Sequence, residues 1–190
     1  MISMENKLIK VYKHGSIAVI VPLIAFVIAY FLNNMLVLDY VHILLGALWT
    51  GVDIFLGLIF SSVIRTIGKS VKANIAKGMI PMTLFFIPAV SIIVPAAGYV
   101  LAIRENIFNP ATGLFMAIEA IGIVLVATSF FVIVPFSWKF AKELSKDQPD
   151  EETISSSMSI ISKGAFIQMF LQIAIIGLMA YMVVYPTNAV

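Results

Sequence analysis

Five apolar stretches, each close to the thickness of a lipid bilayer, alternate with short polar links along this chain of 190 residues. They cover about 16–32, 40–64, 79–103, 114–140 and 158–185. Runs of roughly 18–20 apolar residues are long enough to cross the hydrocarbon core as helices. The pattern therefore predicts an all-α fold: one membrane domain, 1–190, built as a polytopic bundle of five transmembrane helices. Within it, the stretch Tyr40 to Arg65 stands out, because it carries a histidine near one end and an aspartate near its middle. At about 100° per residue, His42, Gly46, Trp49, Asp53, Gly57 and Phe60 share one helical face.

Composition agrees with this reading. Hydrophobic residues make up 61% of the chain, charged residues only 12%, and the mean hydropathy is +1.05. So few charges cannot clothe a water-exposed surface, and a lipid bilayer is the expected partner. The polar lead of residues 1–14 is basic, but no small-residue cleavage site ends the apolar run behind it. That run reads as a retained helix, compatible with a signal anchor.

Lys and Arg set the expected orientation. Lys7, Lys10 and Lys13, then Arg65, Lys69, Lys72 and Lys77, then Lys139, Lys142, Lys146 and Lys163 fall on one side of a five-span arrangement. Arg104 alone falls on the other. The N-terminus and the 139–157 connection are expected in the cytoplasm and the C-terminus outside, in a multi-pass cell-membrane protein. Pro149, Asp150, Glu151 and Glu152 resemble a helix start, with acids where the helix dipole favours them. In 66–77, Ile67, Val71 and Ile75 share a face, which suits either a helix along the inner leaflet or a solvated connector.

An ionisable group inside a span is expensive, and it marks a functional or tightly partnered position. Asp53 and Glu119 are the intramembrane acids. Asp53 reads as a proton-relay or cation-binding carboxylate, or as a neutral acid bonding two helices. Glu119 lies within reach of a pair with Arg104. His42 reads either as a ligand for haem iron or copper or as an interfacial histidine bonded to a loop. It stands about 16 Å from Asp53 along the helix, so the two cannot share one ion. Gly46 leaves room beside it for a flat cofactor, and Trp49 offers an aromatic wall. Met35, Met79, Met82, Met116 and Met169 supply thioethers, in a chain whose methionines mostly pack. His14 reads as a solvated residue of the basic leader.

Span three carries Pro81, Pro88 and Pro95 at seven-residue spacing, which predicts a bent or loosened helix whose freed carbonyls need other donors. Ser91 and Gly98 lie near that stripe. Gln168 and Gln172 give span five an amide-bearing face suited to interhelical hydrogen bonds. The chain has no cysteine, which excludes disulfides, thiolate metal sites and covalent c-type haem. It also lacks a phosphate-binding loop, a dinucleotide fingerprint, HExxH and a serine-triad signature. The basic links lack the features of a nucleic-acid-binding surface.

The run His42-Ile-Leu-Leu-Gly-Ala-Leu-Trp-Thr-Gly forms an H-x6-W-x-G helix, followed by a basic connector and Lys77-Gly-Met-Ile-Pro-Met-Thr. Over about Tyr40 to Leu101 this resembles the copper-resistance D-like and HemJ-type group of small polytopic membrane proteins. The resemblance implies a helical bundle with b-type haem on His42, with Gly46 and Trp49 beside it. The family's lysine-bearing motif is replaced here by Phe115-Met-Ala-Ile-Glu119. Its aromatic-Pro-Arg close to the histidine helix is replaced by Phe60-Ser-Ser-Val-Ile-Arg65. Three functions follow as expectations: a haem- or quinone-linked redox protein, a proton- or cation-coupled transporter using Asp53 and Glu119, or a non-catalytic subunit of a membrane complex or homo-oligomer.

Overall fold

The structure, a computed structural model, describes residues 4–66, 78–79, 82–146 and 148–185. Five helices account for nearly all of them, with no strand among the described residues. Helix α1 spans Met4–Phe31, so the basic leader continues the first helix rather than preceding it. Helix α2 spans Met35–Ile54, widens into a π-helical stretch at Phe55–Phe60 and closes at Ser61–Thr66. Helix α3 opens with a π stretch at Met82–Phe86 and continues as Ile87–Arg104. Helix α4 runs Gly113–Thr128, Ser129–Ile133 in π form, then Val134–Ser145. Helix α5 is Glu151–Val184.

Met35–Phe60, Thr83–Arg104, Gly113–Ser145 and Glu151–Val184 are long and apolar enough to cross a membrane, which suits a bilayer environment. In α1 the apolar part, Gly15–Phe31, is shorter. Pro81, His14 as a side chain, and Ile67, Val71 and Ile75 lie outside what is described.

The helix ends follow from local chemistry. Asn33, at φ 51°, takes the left-handed conformation that asparagine tolerates and stops α1. Asn34 then caps α2 by accepting from the Val37 N–H at 3.3 Å. Asn106, at φ 57°, closes α3 in the same way, and Thr112 caps α4. The predicted start of the fifth helix near Pro149 is found: Asp150 is the cap, and its carboxylate accepts from the N–H groups of Glu152 and Thr153.

Two of the three π stretches end two residues before a proline, Pro88 and Pro135. A proline ring displaces the carbonyl one turn earlier and removes its donor, and widening the helix there is one way to accommodate this. The third stretch, Phe55–Phe60, has no proline. There Gly57 lies so close to α5 that a Cβ would sit 2.8 Å from the Phe166 Cα, and the Ser162 hydroxyl donates to the Leu56 carbonyl at 2.8 Å. Helix contact and side-chain bonding replace what the regular helix loses.

Helix α2 occupies the middle of the bundle, packed against α1, α3 and α5, and α5 also packs along α4. Helix α2 runs antiparallel to α3 and α5, and α4 antiparallel to α5, whereas α1 and α3 run parallel. Asp53 meets Gln172 and Gly57 meets Phe166, while Gln168 meets Leu125 and Ser129. At one end Arg104 donates to the Tyr30 carbonyl at 3.0 Å, with its guanidinium 5.1 Å from the Tyr30 ring. At the other end Gly15 packs on the Phe85 ring. The core between them is a continuous layer including Leu38, Leu45, Trp49, Ile87, Val90 and Ile133.

Candidate functional site

Buried polar groups occur on α2, α3, α4 and α5, and two glutamines of α5 bond to those of α2 and α4. Asp53 is fully buried, on the last turn of α2 before the helix widens. Its Oδ2 accepts from Gln172 Nε2 at 2.9 Å. One turn earlier on α5, Gln168 Nε2 donates to the Leu125 carbonyl at 2.9 Å and to Ser129 Oγ at 2.8 Å, and the Ser129 hydroxyl donates on to Leu125. The amide face expected on span five thus forms interhelical bonds to two different helices.

The unpaired atoms are as informative as the paired ones. Asp53 Oδ1, Gln172 Oε1 and Gln168 Oε1 are buried acceptors without a partner, and the Trp49 indole N–H is a buried donor without one. Trp49 lies one turn from Asp53 on α2, and Gln168 one turn from Gln172 on α5. Orphaned buried polar atoms are rare in folded proteins, and each asks for a physical explanation. A carboxylate here would hold its charge with a single amide donor and no cation, an arrangement that is strongly unfavourable in a low-dielectric interior. The group is therefore held as the neutral acid, or a cation joins it. The donor set is all oxygen apart from the indole, which suits a proton, hydronium or a hard cation rather than a soft metal. Among the described residues no group of three or more His, Asp or Glu gathers to hold a metal ion.

The single face expected on α2 divides between two neighbours. Its lower part, Asp53 and Gly57, faces α5, while its upper part, His42 and Gly46, faces α3. His42 is half-buried, and Nδ1 lies 2.9 Å from the Val94 carbonyl. A carbonyl only accepts, so Nδ1 carries the proton and Nε2 keeps its lone pair. That tautomer is competent for a ligand. Space is the difficulty: the ring lies on Gly98, where a Cβ would stand 2.8 Å from its Cε1. The room expected beside Gly46 is taken by Val94, whose Cγ1 is 3.7 Å from where a Cβ would be. As packed here, α2 and α3 do not fit a porphyrin between them.

The expected Glu119–Arg104 pair does not form. Arg104 instead serves the Tyr30 carbonyl in the last turn of α1, where backbone acceptors lack helical donors. Glu119 stands exposed on α4, apart from the buried Phe115 and Leu125 that face the bundle. Met116 is likewise exposed, whereas Met169 is buried.

Ser129 and Ser162 were not singled out from sequence. Ser129 sits in an apolar helix at the depth of Gln168, and matching polar residues by depth across antiparallel spans would have paired both Ser129 with Gln168 and Asp53 with Gln172. Nothing in the sequence signals that Ser162 would serve a π-helical carbonyl. No protein-family model matches this chain, and no curated protein or solved structure matches it.

Proposed function

We propose that this chain is a five-span protein of the cell membrane, N-terminus in the cytoplasm and C-terminus outside. In this reading it couples proton movement to transport through Asp53, with Gln172 positioning the carboxyl group. One observation carries the reading: a fully buried acid within a span, bonded to the amide of Gln172, with an oxygen of each of the two side chains left unpaired. Intramembrane acids held this way are the usual material of proton relays. Five helices running alternately up and down support the odd span number, and the eleven-to-one distribution of Lys and Arg supports the orientation.

Vesicles containing the purified protein and an entrapped pH dye test the reading. Under an imposed pH gradient, wild-type vesicles are expected to equilibrate faster than empty ones, and Asp53→Asn vesicles to match the empty ones. Equal rates for Asp53→Asn and wild type would reject it.

The second reading, b-type haem on His42, is supported by the free Nε2 and by the H-x6-W-x-G resemblance. It requires α2 and α3 to part from the packing described, and a Soret band lost in His42→Ala is its test. The outward-facing Glu119 and the uncovered outer part of α5 support a place in a homo-oligomer or larger membrane complex, because a carboxylate against acyl chains is costly.

A further inference from the structure

Two of the unpaired acceptors belong to a single contact. Gln172 Nε2 donates to Asp53 Oδ2 at 2.9 Å, and the other polar atom of each group, Gln172 Oε1 and Asp53 Oδ1, is buried with no hydrogen-bond partner. In both side chains the unpaired oxygen shares a carbon with the bonded atom. The contact that joins Nε2 to Oδ2 therefore holds the two orphans at the same interface between α2 and α5.

An amide oxygen accepts only, and so does the oxygen of an ionised carboxylate. Side by side these two atoms have nothing to exchange, and a desolvated acceptor left alone is costly. A carboxylic acid differs, because it keeps its acceptor capacity and gains one O–H donor. With the proton on Oδ1, the acid donates to Oε1 while the amide donates to Oδ2. One proton then satisfies both orphans and closes an acid–amide ring.

The surroundings bring no cation that could do the same. Gly15–Phe31 of α1, residues 83–103 of α3 and residues 164–184 of α5 contain no Lys, Arg or His. His42 stands about 16 Å away along α2, and Glu119, the acid of α4 at membrane depth, is exposed. The Trp49 indole N–H, one turn from Asp53, is buried without a partner and so donates to neither oxygen.

We infer that Asp53 and Gln172 hold one proton between them, with Oδ1–H donating to Oε1, as a two-residue proton site that joins α2 to α5. The site rests on the reading of Asp53 as a proton-binding group, and it gives Gln172 a larger part than orienting the carboxyl: its oxygen receives the proton's hydrogen bond. Release breaks the Asp53 O–H bond alone. The electron pair stays on the carboxylate and the proton passes to water. What remains is a charged oxygen beside an amide oxygen, so losing the proton loosens α2 from α5. Gln172 is the last residue that α5 buries, which puts this ring at the edge of the packed half of the helix.

Infrared spectroscopy of the full chain in vesicles, with glutamine carrying carbon-13 at the side-chain carbonyl, reads the amide side of the ring. The Gln172 band is identified by its loss in Gln172→Leu. In wild type it is expected at the low wavenumber of a hydrogen-bonded carbonyl. It should stay there in Asp53→Asn, whose amide N–H takes the place of the acid O–H, and rise in Asp53→Ala. A band unmoved in Asp53→Ala would overturn the shared proton, because nothing on Asp53 then bonds to Oε1. A rise in Trp49→Phe would overturn it too, because the indole is then the donor.

A second variant exchanges the two groups without changing the length of either side chain. Asp53→Asn combined with Gln172→Glu puts the amide on α2 and the acid on α5, and the ring can close in the same way. A folded protein with a protonated-carboxyl C=O band at the wild-type position is expected. Failure to fold, or carboxylate bands alone, overturns the shared proton, while a protonated Asp53 band in wild type leaves the Asp53 reading standing. Absence of that band in wild type removes the Asp53 reading, and the shared proton falls with it.

Discussion

Helix α5 is two different helices in one. From Glu151 to Gln172 it buries a regular series that includes Ile154, Ser157, Met158, Ile161, Gly164, Ala165, Gln168 and Gln172. From Ile173 to Val184 it buries nothing, and Ile173, Ile176, Tyr181, Val183 and Val184 are all largely exposed. Apolarity does not mark the packed half, for the uncovered half is the more apolar of the two and has no charged or amide residue. Small and polar residues do. Gly164, Ala165 and the two glutamines let α5 approach α2 and α4 closely and bond to them, whereas Gly177 meets nothing within 4 Å. In lipid, apolar side chains gain little by facing one another, and close backbone approach with interhelical hydrogen bonds decides where helices pack. The packed half ends at Gln172, the residue that holds Asp53.

The largest effect is expected where the packing is tightest. Gly57→Leu drives a side chain into the Phe166 backbone, where a Cβ alone would stand 2.8 Å from Cα and 2.9 Å from N. A loss of about 3 kcal/mol or failure to fold is expected, at or beyond the upper range for overpacking. Thermal unfolding in detergent measures it, and a wild-type melt would break the distinction between the halves.

Next comes the pair itself. Gln172→Leu removes the one hydrogen bond made to Asp53 and should cost about 1–3 kcal/mol. Asp53→Leu combined with Gln172→Leu should recover most of that loss, because two matched apolar groups leave nothing unsatisfied. Additive losses in the double-mutant cycle would show that the two residues do not act as a unit.

A smaller effect belongs to the start of α5. The Asp150 carboxyl is held below the usual carboxylate range by the Thr153 hydroxyl and the Glu152 N–H. Groups with lowered values stabilise the fold above pH about 4 and lose that contribution as pH falls through the lowered values. Asp150→Ala should cost about 1 kcal/mol near neutral pH. It should also flatten the acid side of the stability profile, read from melting temperature against pH. The smallest effect is expected in the uncovered half: Gly177→Ala should be neutral or stabilise by up to about 1 kcal/mol, since only helix propensity changes there.

Much of this architecture was legible in the chain. Helix lengths, the start of α5 and the interior placement of Trp49 and Asp53 follow from apolar runs, capping residues and the cost of an acid in lipid. The amide face of α5 was also legible, though not the identity of its partners. What escaped depends on helix-to-helix geometry. The π stretches of α2, α3 and α4 are one part of it, although Gly57 and Phe60, inside the α2 stretch, stay buried as the 100° face predicts. The face of α2 also divides between α3 and α5, which no property of α2 alone encodes. A pair between Arg104 and Glu119 is possible by sequence position, yet Arg104 serves a terminal carbonyl of α1.

The central claim is that Asp53 is a proton-binding carboxyl held by Gln172, and infrared spectroscopy of the reconstituted protein tests it most directly. The account expects a protonated-carboxyl C=O stretch in wild type that disappears in Asp53→Asn and shifts in Gln172→Leu as the amide bond is lost. A wild-type spectrum without that band, or an unchanged band in Asp53→Asn, would contradict it.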